Sequence, residues 1–124
     1  MGIQDIPGYD QQISYLPVFG NDAFAMIIAF FVIVIIAPIV EELFFRGFLL
    51  QTLVQYFHPF LGSFITALVF TSIHFQFQSF IPIFVLSLLL NGLFLHTKNI
   101  WPSITFHMLN NVLALILEYV VISS

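Results

Sequence analysis

The stretch AFAMIIAFFVIVIIAPIVEELFFR, residues 23–46, decides the fold. Residues 23–40 carry no charge and are long enough to cross hydrocarbon as a helix. Glu41, Glu42 and Arg46 then follow without a break in the apolar pattern. The whole chain has two basic and six acidic residues, and three of these charges fall within this one stretch. Ionisable groups inside an apolar helix are costly unless they are paired or do chemistry, so they mark a functional site.

Composition agrees. The chain has 124 residues, 60% of them hydrophobic and 6% charged, against about 25% charged in a soluble domain. That much apolar surface cannot be buried in one small soluble domain, so the expected solvent is lipid. A net charge of −4 with two basic residues argues against nucleic acid, whose phosphates need Lys and Arg. The absence of cysteine removes disulfides, thiol nucleophiles and thiolate metal sites. No basic residue precedes a short apolar run at the N-terminus, and Ile6 stands where a myristoylation signal needs Ser or Thr.

Outward from the opening stretch, the expected fold is all-α: a polytopic membrane bundle of about four transmembrane helices. Residues 1–21, with Pro7-Gly8 and Pro17, read as an irregular or interfacial lead-in to a core spanning 22–124. Asn21 or Asp22 caps the first helix, which runs to about Tyr56 and is kinked near Pro38. His58-Pro59 breaks the chain, and Phe60–Phe75 forms the second helix. Gln76–Ser79 is a polar turn, Phe80–His96 the third helix, Thr97–Asn99 another turn, and Ile100–Val121 the fourth helix. Tyr56, Phe57, Trp101 and Tyr119 stand near helix ends, where aromatic residues suit the headgroup level. Lys98 puts the side carrying the His58 and Lys98 turns in the cytoplasm.

A rise of about 1.5 Å per residue gives the polar residues their depths from that side. Glu41 lies about 22 Å deep, His74 about 21 Å, and His107 and Asn111 roughly 9 and 15 Å. Three antiparallel helices thus bring a Glu, two His and an Asn to overlapping middle depths. Glu42 and Arg46 are spaced i,i+4 and can pair, which leaves Glu41, turned about 100° away, free. His107 and Asn111 share a face by the same spacing, as do Phe70 and His74. A carboxylate and an imidazole facing one water form a general base, and a His–Asn pair offers donors to an oxyanion. Together they suffice to hydrolyse an amide without a covalent intermediate.

These motifs resemble the signatures of the type II CAAX prenyl protease and bacteriocin-processing family, also called the ABI or CPBP family of glutamic intramembrane proteases. EExxxR stands as Glu41-Glu42-Leu43-Phe44-Phe45-Arg46, FxxxH as Phe70-Thr71-Ser72-Ile73-His74, and HxxxN as His107-Met108-Leu109-Asn110-Asn111. The resemblance implies that Glu41 and His74 activate water while His107 and Asn111 stabilise the oxyanion. Glu42, Arg46 and Phe70 then support them, and no cofactor is needed. It implies a peptide or prenylated-protein substrate, with CAAX-type cleavage, bacteriocin or peptide processing, or self-immunity as the role. Family members commonly have about eight membrane helices against about four here, so the chain is expected to be a minimal member, a truncation, or half of an assembly completed by a homo-oligomer or another chain. The expected location is a bacterial or archaeal cytoplasmic membrane, or an internal eukaryotic membrane.

Plainer readings stand beside each of these. Glu42–Arg46 also reads as an ion pair that holds a kinked helix, and His74, His107 and Asn111 as interhelical hydrogen bonders. His58 and His96 read as interfacial, Glu118 as reaching the opposite interface, and Asn91-Gly92 as close packing. The 17 Phe residues read as lipid-facing and core filler. Two functional rivals remain: a zinc metallohydrolase with Glu41, His74 and His107 as ligands, and a non-enzymatic peptide-binding immunity or scaffold protein.

Overall fold

A computed structural model describes residues 22–124; the lead-in, with Asn21, lies outside the described residues. The described chain is helical throughout, in the expected order. Helix α1 spans Ala23–Tyr56, α2 Pro59–Ser72, α3 Phe80–Thr97 and α4 Ile100–Ser123, with one 3-10 turn at Phe77–Ser79. Helices α1, α3 and α4 are long and apolar enough to cross a membrane. Helix α2, at 14 residues, is shorter. It rises about 21 Å against the roughly 30 Å of a hydrocarbon core.

The caps follow from short polar side chains at the breaks. Asp22 accepts from the Ala25 N–H at 2.7 Å, His58 Nδ1 from the Phe60 N–H at 3.2 Å, and Asn99 from the Trp101 N–H at 3.0 Å. Helix α2 ends three residues earlier than its apolar pattern suggests. The His74 and Phe75 N–H groups turn to carbonyls three residues back, at 3.2 and 3.3 Å, and Phe75 adopts a positive φ of 52°. His74 therefore sits in a tightened turn just beyond the helix.

Helix α1 is continuous, but it contains two π-helical segments, Phe31–Ile36 and Phe45–Leu50. The first explains how Pro38 is tolerated. In a π turn each carbonyl is closed by the N–H five residues on, as Ala37 closes Val32. The corresponding partner of the Ile33 carbonyl is Pro38, which has no N–H. Asn111 on α4 donates its side-chain amide to that carbonyl at 2.9 Å. The second segment widens the helix after the acidic pair, and there Phe45 and Arg46, neighbours in sequence, are both buried.

The four helices pack in a closed circuit: α2 on α3, α3 on α4, α4 on the middle of α1, and the end of α1 back on α2. Gly62 permits the last contact. A Cβ there would stand 3.0 Å from the Val54 side chain and 3.3 Å from its backbone nitrogen. Gly92, by contrast, is exposed, and a Cβ there would meet nothing within 4 Å. The close packing expected at Asn91-Gly92 is found instead at Gly62, because the short His58-Pro59 turn forces α1 and α2 together there.

Gly62→Leu should therefore cost about 1–3 kcal/mol by overpacking, while Gly92→Leu should leave stability unchanged. Thermal unfolding of both variants in one detergent measures the difference; equal midpoints would refute this account of the α1–α2 contact.

Candidate active site

A polar cluster lies at the centre of the circuit, where α1, α3 and α4 meet. Glu42 and Arg46 are fully buried and paired at 3.1 Å, as their spacing on α1 requires. The same carboxylate oxygen of Glu42 accepts from His107 Nδ1 on α4 at 2.7 Å. A carboxylate only accepts here, so Nδ1 carries the proton. The other ring nitrogen of His107, Nε2, stands 3.4 Å from a carboxylate oxygen of Glu41. One imidazole thus bridges the two adjacent acids.

The acids differ in exposure. The Glu42 side chain is 0% accessible and that of Glu41 is 29% accessible. Glu41 is free of Arg46, as its position on the helix suggests, but it reaches His107 from the open side of the cluster. The pairing of Glu42 with His107 was not legible in the sequence, because it joins residues 65 apart through the mutual rotation of two helices.

Arg46 is held on every side. Its Nε donates to the Asn91 side-chain oxygen at 2.9 Å, and Nη2 donates to the Ser87 carbonyl and hydroxyl at 3.0 and 2.6 Å. The Asn91 amide in turn donates to the Ser63 carbonyl at 2.9 Å. Asn91 is therefore a hydrogen-bonding residue of the core. Its signal in the sequence was a lone amide inside an apolar helix.

Phe70 fills the floor of the cluster and is 1% exposed. The Arg46 guanidinium lies 4.7 Å from its ring centre, His74 4.6 Å and His107 5.9 Å, with Phe45 edge-on at 5.0 Å. This Phe is more than filler: its quadrupole receives the buried guanidinium of Arg46, and both imidazoles rest against it. His74 is half-buried, with Nδ1 2.6 Å from the Phe70 carbonyl. A carbonyl cannot donate, so Nδ1–H is the donor and a neutral ring presents its Nε2 lone pair outward.

The structure thus joins Glu41, Glu42, Arg46 and His107 directly and brings His74 alongside through Phe70. Glu41 and His74 are not in ion-pair contact with each other. Asn111 lies one turn beyond His107, and one of its amide N–H groups is engaged by Ile33. Among the described residues, no group of three or more His, Cys, Asp or Glu is arranged to hold a metal ion.

Removing one partner of a fully buried ion pair costs about 3–5 kcal/mol, because the other charge is left unpaired. Arg46→Met should show a loss of that size in thermal unfolding, and Glu42→Leu/Arg46→Met should be less destabilised than Arg46→Met alone. A double variant as unstable as the sum of the two single variants would show that the pair is not an energetic unit.

No curated protein and no solved structure matches the chain. The family described as type II CAAX prenyl endopeptidase, Rce1-like, matches residues 23–113, a span that begins with α1 and takes in every residue of the cluster. The motifs, the apolar helices that carry them and this match agree: the chain belongs to the Rce1-like family of type II CAAX prenyl endopeptidases, and is an integral membrane protein of the endopeptidase class.

Proposed function

We propose that the chain hydrolyses a peptide bond within the membrane by a glutamic mechanism, with Glu41 as general base. The observation that carries this reading is the asymmetry of the acid pair. Glu42 is sealed between Arg46 and His107, whereas Glu41 is open enough to meet a water molecule. His74 is the second group on that water. With its Nδ1 proton committed to the Phe70 carbonyl, its Nε2 accepts a hydrogen bond.

The steps then balance. Water bound between Glu41 and His74 passes a proton to the Glu41 carboxylate as its oxygen bonds to the peptide carbonyl carbon. The carbonyl oxygen becomes an oxyanion and takes hydrogen bonds from His107 Nε2–H and from the second N–H of Asn111. The C–N bond breaks as Glu41 returns the proton to the leaving amine. Glu42 holds His107 by Nδ1, and the Ile33 carbonyl holds the Asn111 amide, so both donors are set before substrate arrives. A His107 ring protonated on both nitrogens also balances charge, with two carboxylates against one guanidinium and one imidazolium.

A peptide with an attached isoprenoid is the substrate class that fits best. An apolar groove of about 270 Å³, lined by Met26, Phe30, Val112, Leu115, Ile116 and Tyr119, opens between α1 and α4. It begins at the residue after Asn111 and suits a hydrocarbon tail anchored beside the scissile bond.

Purified protein in lipid should cleave a prenylated CAAX peptide in preference to its unprenylated control. Glu41→Gln and His74→Ala should each lower kcat by about 10²–10⁴-fold with the fold intact by circular dichroism. Cleavage should persist after exhaustive chelation; loss that zinc restores would replace this mechanism with a metal-dependent one. Wild-type protein that binds the peptide and never cleaves it would favour a binding function.

Asn111→Ala should lower kcat by about 10²–10³-fold and leave KM nearly unchanged, because its donor acts mainly in the transition state. A rise in KM alone would remove Asn111 from the oxyanion site.

A further inference from the structure

We infer that Asn91, assisted by Ser87, is a positioning residue for the catalytic imidazole and acts on His107 through Arg46 and Glu42. This rests on the peptidase reading and extends it to a helix that carries none of the three motifs. Ser87 and Asn91 are i,i+4 on α3 and both are fully buried. A buried amide in an apolar helix is costly unless both its ends are bonded, and here both are. The Asn91 oxygen takes Arg46 Nε at 2.9 Å, and its nitrogen donates to the Ser63 carbonyl on α2 at 2.9 Å.

The guanidinium is a rigid planar fork, so fixing two of its nitrogens fixes the third. Asn91 takes Nε and Ser87 takes Nη2, which leaves Nη1 aimed at Glu42 Oε1. That same oxygen accepts from His107 Nδ1 at 2.7 Å, and the orientation so imposed points Nε2 toward Glu41. Without the Asn91 contact, Arg46 can rotate about its last side-chain bonds. Glu42 then no longer has a single position, and His107 no longer has a single ring orientation. Ser87 contributes less to this than Asn91, because its backbone carbonyl also accepts from Nη2 at 3.0 Å and survives substitution.

The chain has one arginine, so ¹⁵N-arginine labelling of the full protein in detergent gives a single Nε–H resonance that reports this brace. In the wild type it should be shifted downfield and exchange slowly. Asn91→Leu should speed its exchange at least tenfold and lower kcat about 10- to 100-fold, with KM within twofold. Asn91→Asp keeps the acceptor for Nε but loses the donor to the Ser63 carbonyl, so it should retain the resonance and most of kcat while lowering thermal stability. Ser87→Ala should fall between the Asp and Leu variants in exchange and kcat. If Asn91→Leu does not fold, Asn91→Ala set against Asn91→Asp gives the same contrast.

A protected Nε–H in the folded Leu or Ala variant, or kcat unchanged there, overturns the inference. So does an Asp variant as impaired as the Leu variant. A wild-type protein that cleaves nothing refutes the peptidase reading instead, while the arginine resonance still tests the brace.

Discussion

The structure is organised around one buried guanidinium. A permanent positive charge surrounded by hydrocarbon needs a counter-ion and a partner for each donor. Arg46 finds its counter-ion one turn back on its own helix and its remaining acceptors on α3. The ring of Phe70, from α2, covers the guanidinium. His107 completes the arrangement from α4 through the shared carboxylate. Every helix therefore contributes to the neutralisation of one charge. In lipid, where apolar side chains gain little by leaving the solvent for one another, such polar contacts and close packing select the arrangement of helices.

The acid pair acquires two roles from this requirement. The carboxylate that satisfies Arg46 must be buried with it and becomes a fixed part of the scaffold. The adjacent carboxylate lies outside the ion pair and keeps its access to solvent. One Oε2 atom of Glu42 has no protein partner among the described residues although it is fully buried. Its carboxylate lies at the polar centre of the bundle, between Arg46 and His107.

Irregular backbone serves the same site. The π segments of α1 flank the two-turn α-helical stretch Ala37–Phe44 that carries Glu41 and Glu42. The first frees a carbonyl that engages Asn111; the second carries Phe45 and Arg46, both buried. The tightened turn after α2 places His74 with one nitrogen bonded to the backbone and the other free. Elsewhere the hydroxyls of Thr52, Thr66, Thr71 and Thr97 bond back to carbonyls of their own helices, so their polarity is satisfied locally.

The sequence by itself determined the membrane environment, the order of the four helices and nearly all of their boundaries. It also determined the Glu42–Arg46 pair, because hydropathy, capping residues and i,i+4 spacing act over a few residues of one chain segment. Tertiary structure alone decided that His107 belongs to Glu42 as well as to Glu41, that Asn111 anchors on Ile33, and that Asn91 braces Arg46. Those choices depend on how each helix is rotated against its neighbours. Two π segments shift the rotation of α1 away from the regular 3.6-residue period from which a sequence is read.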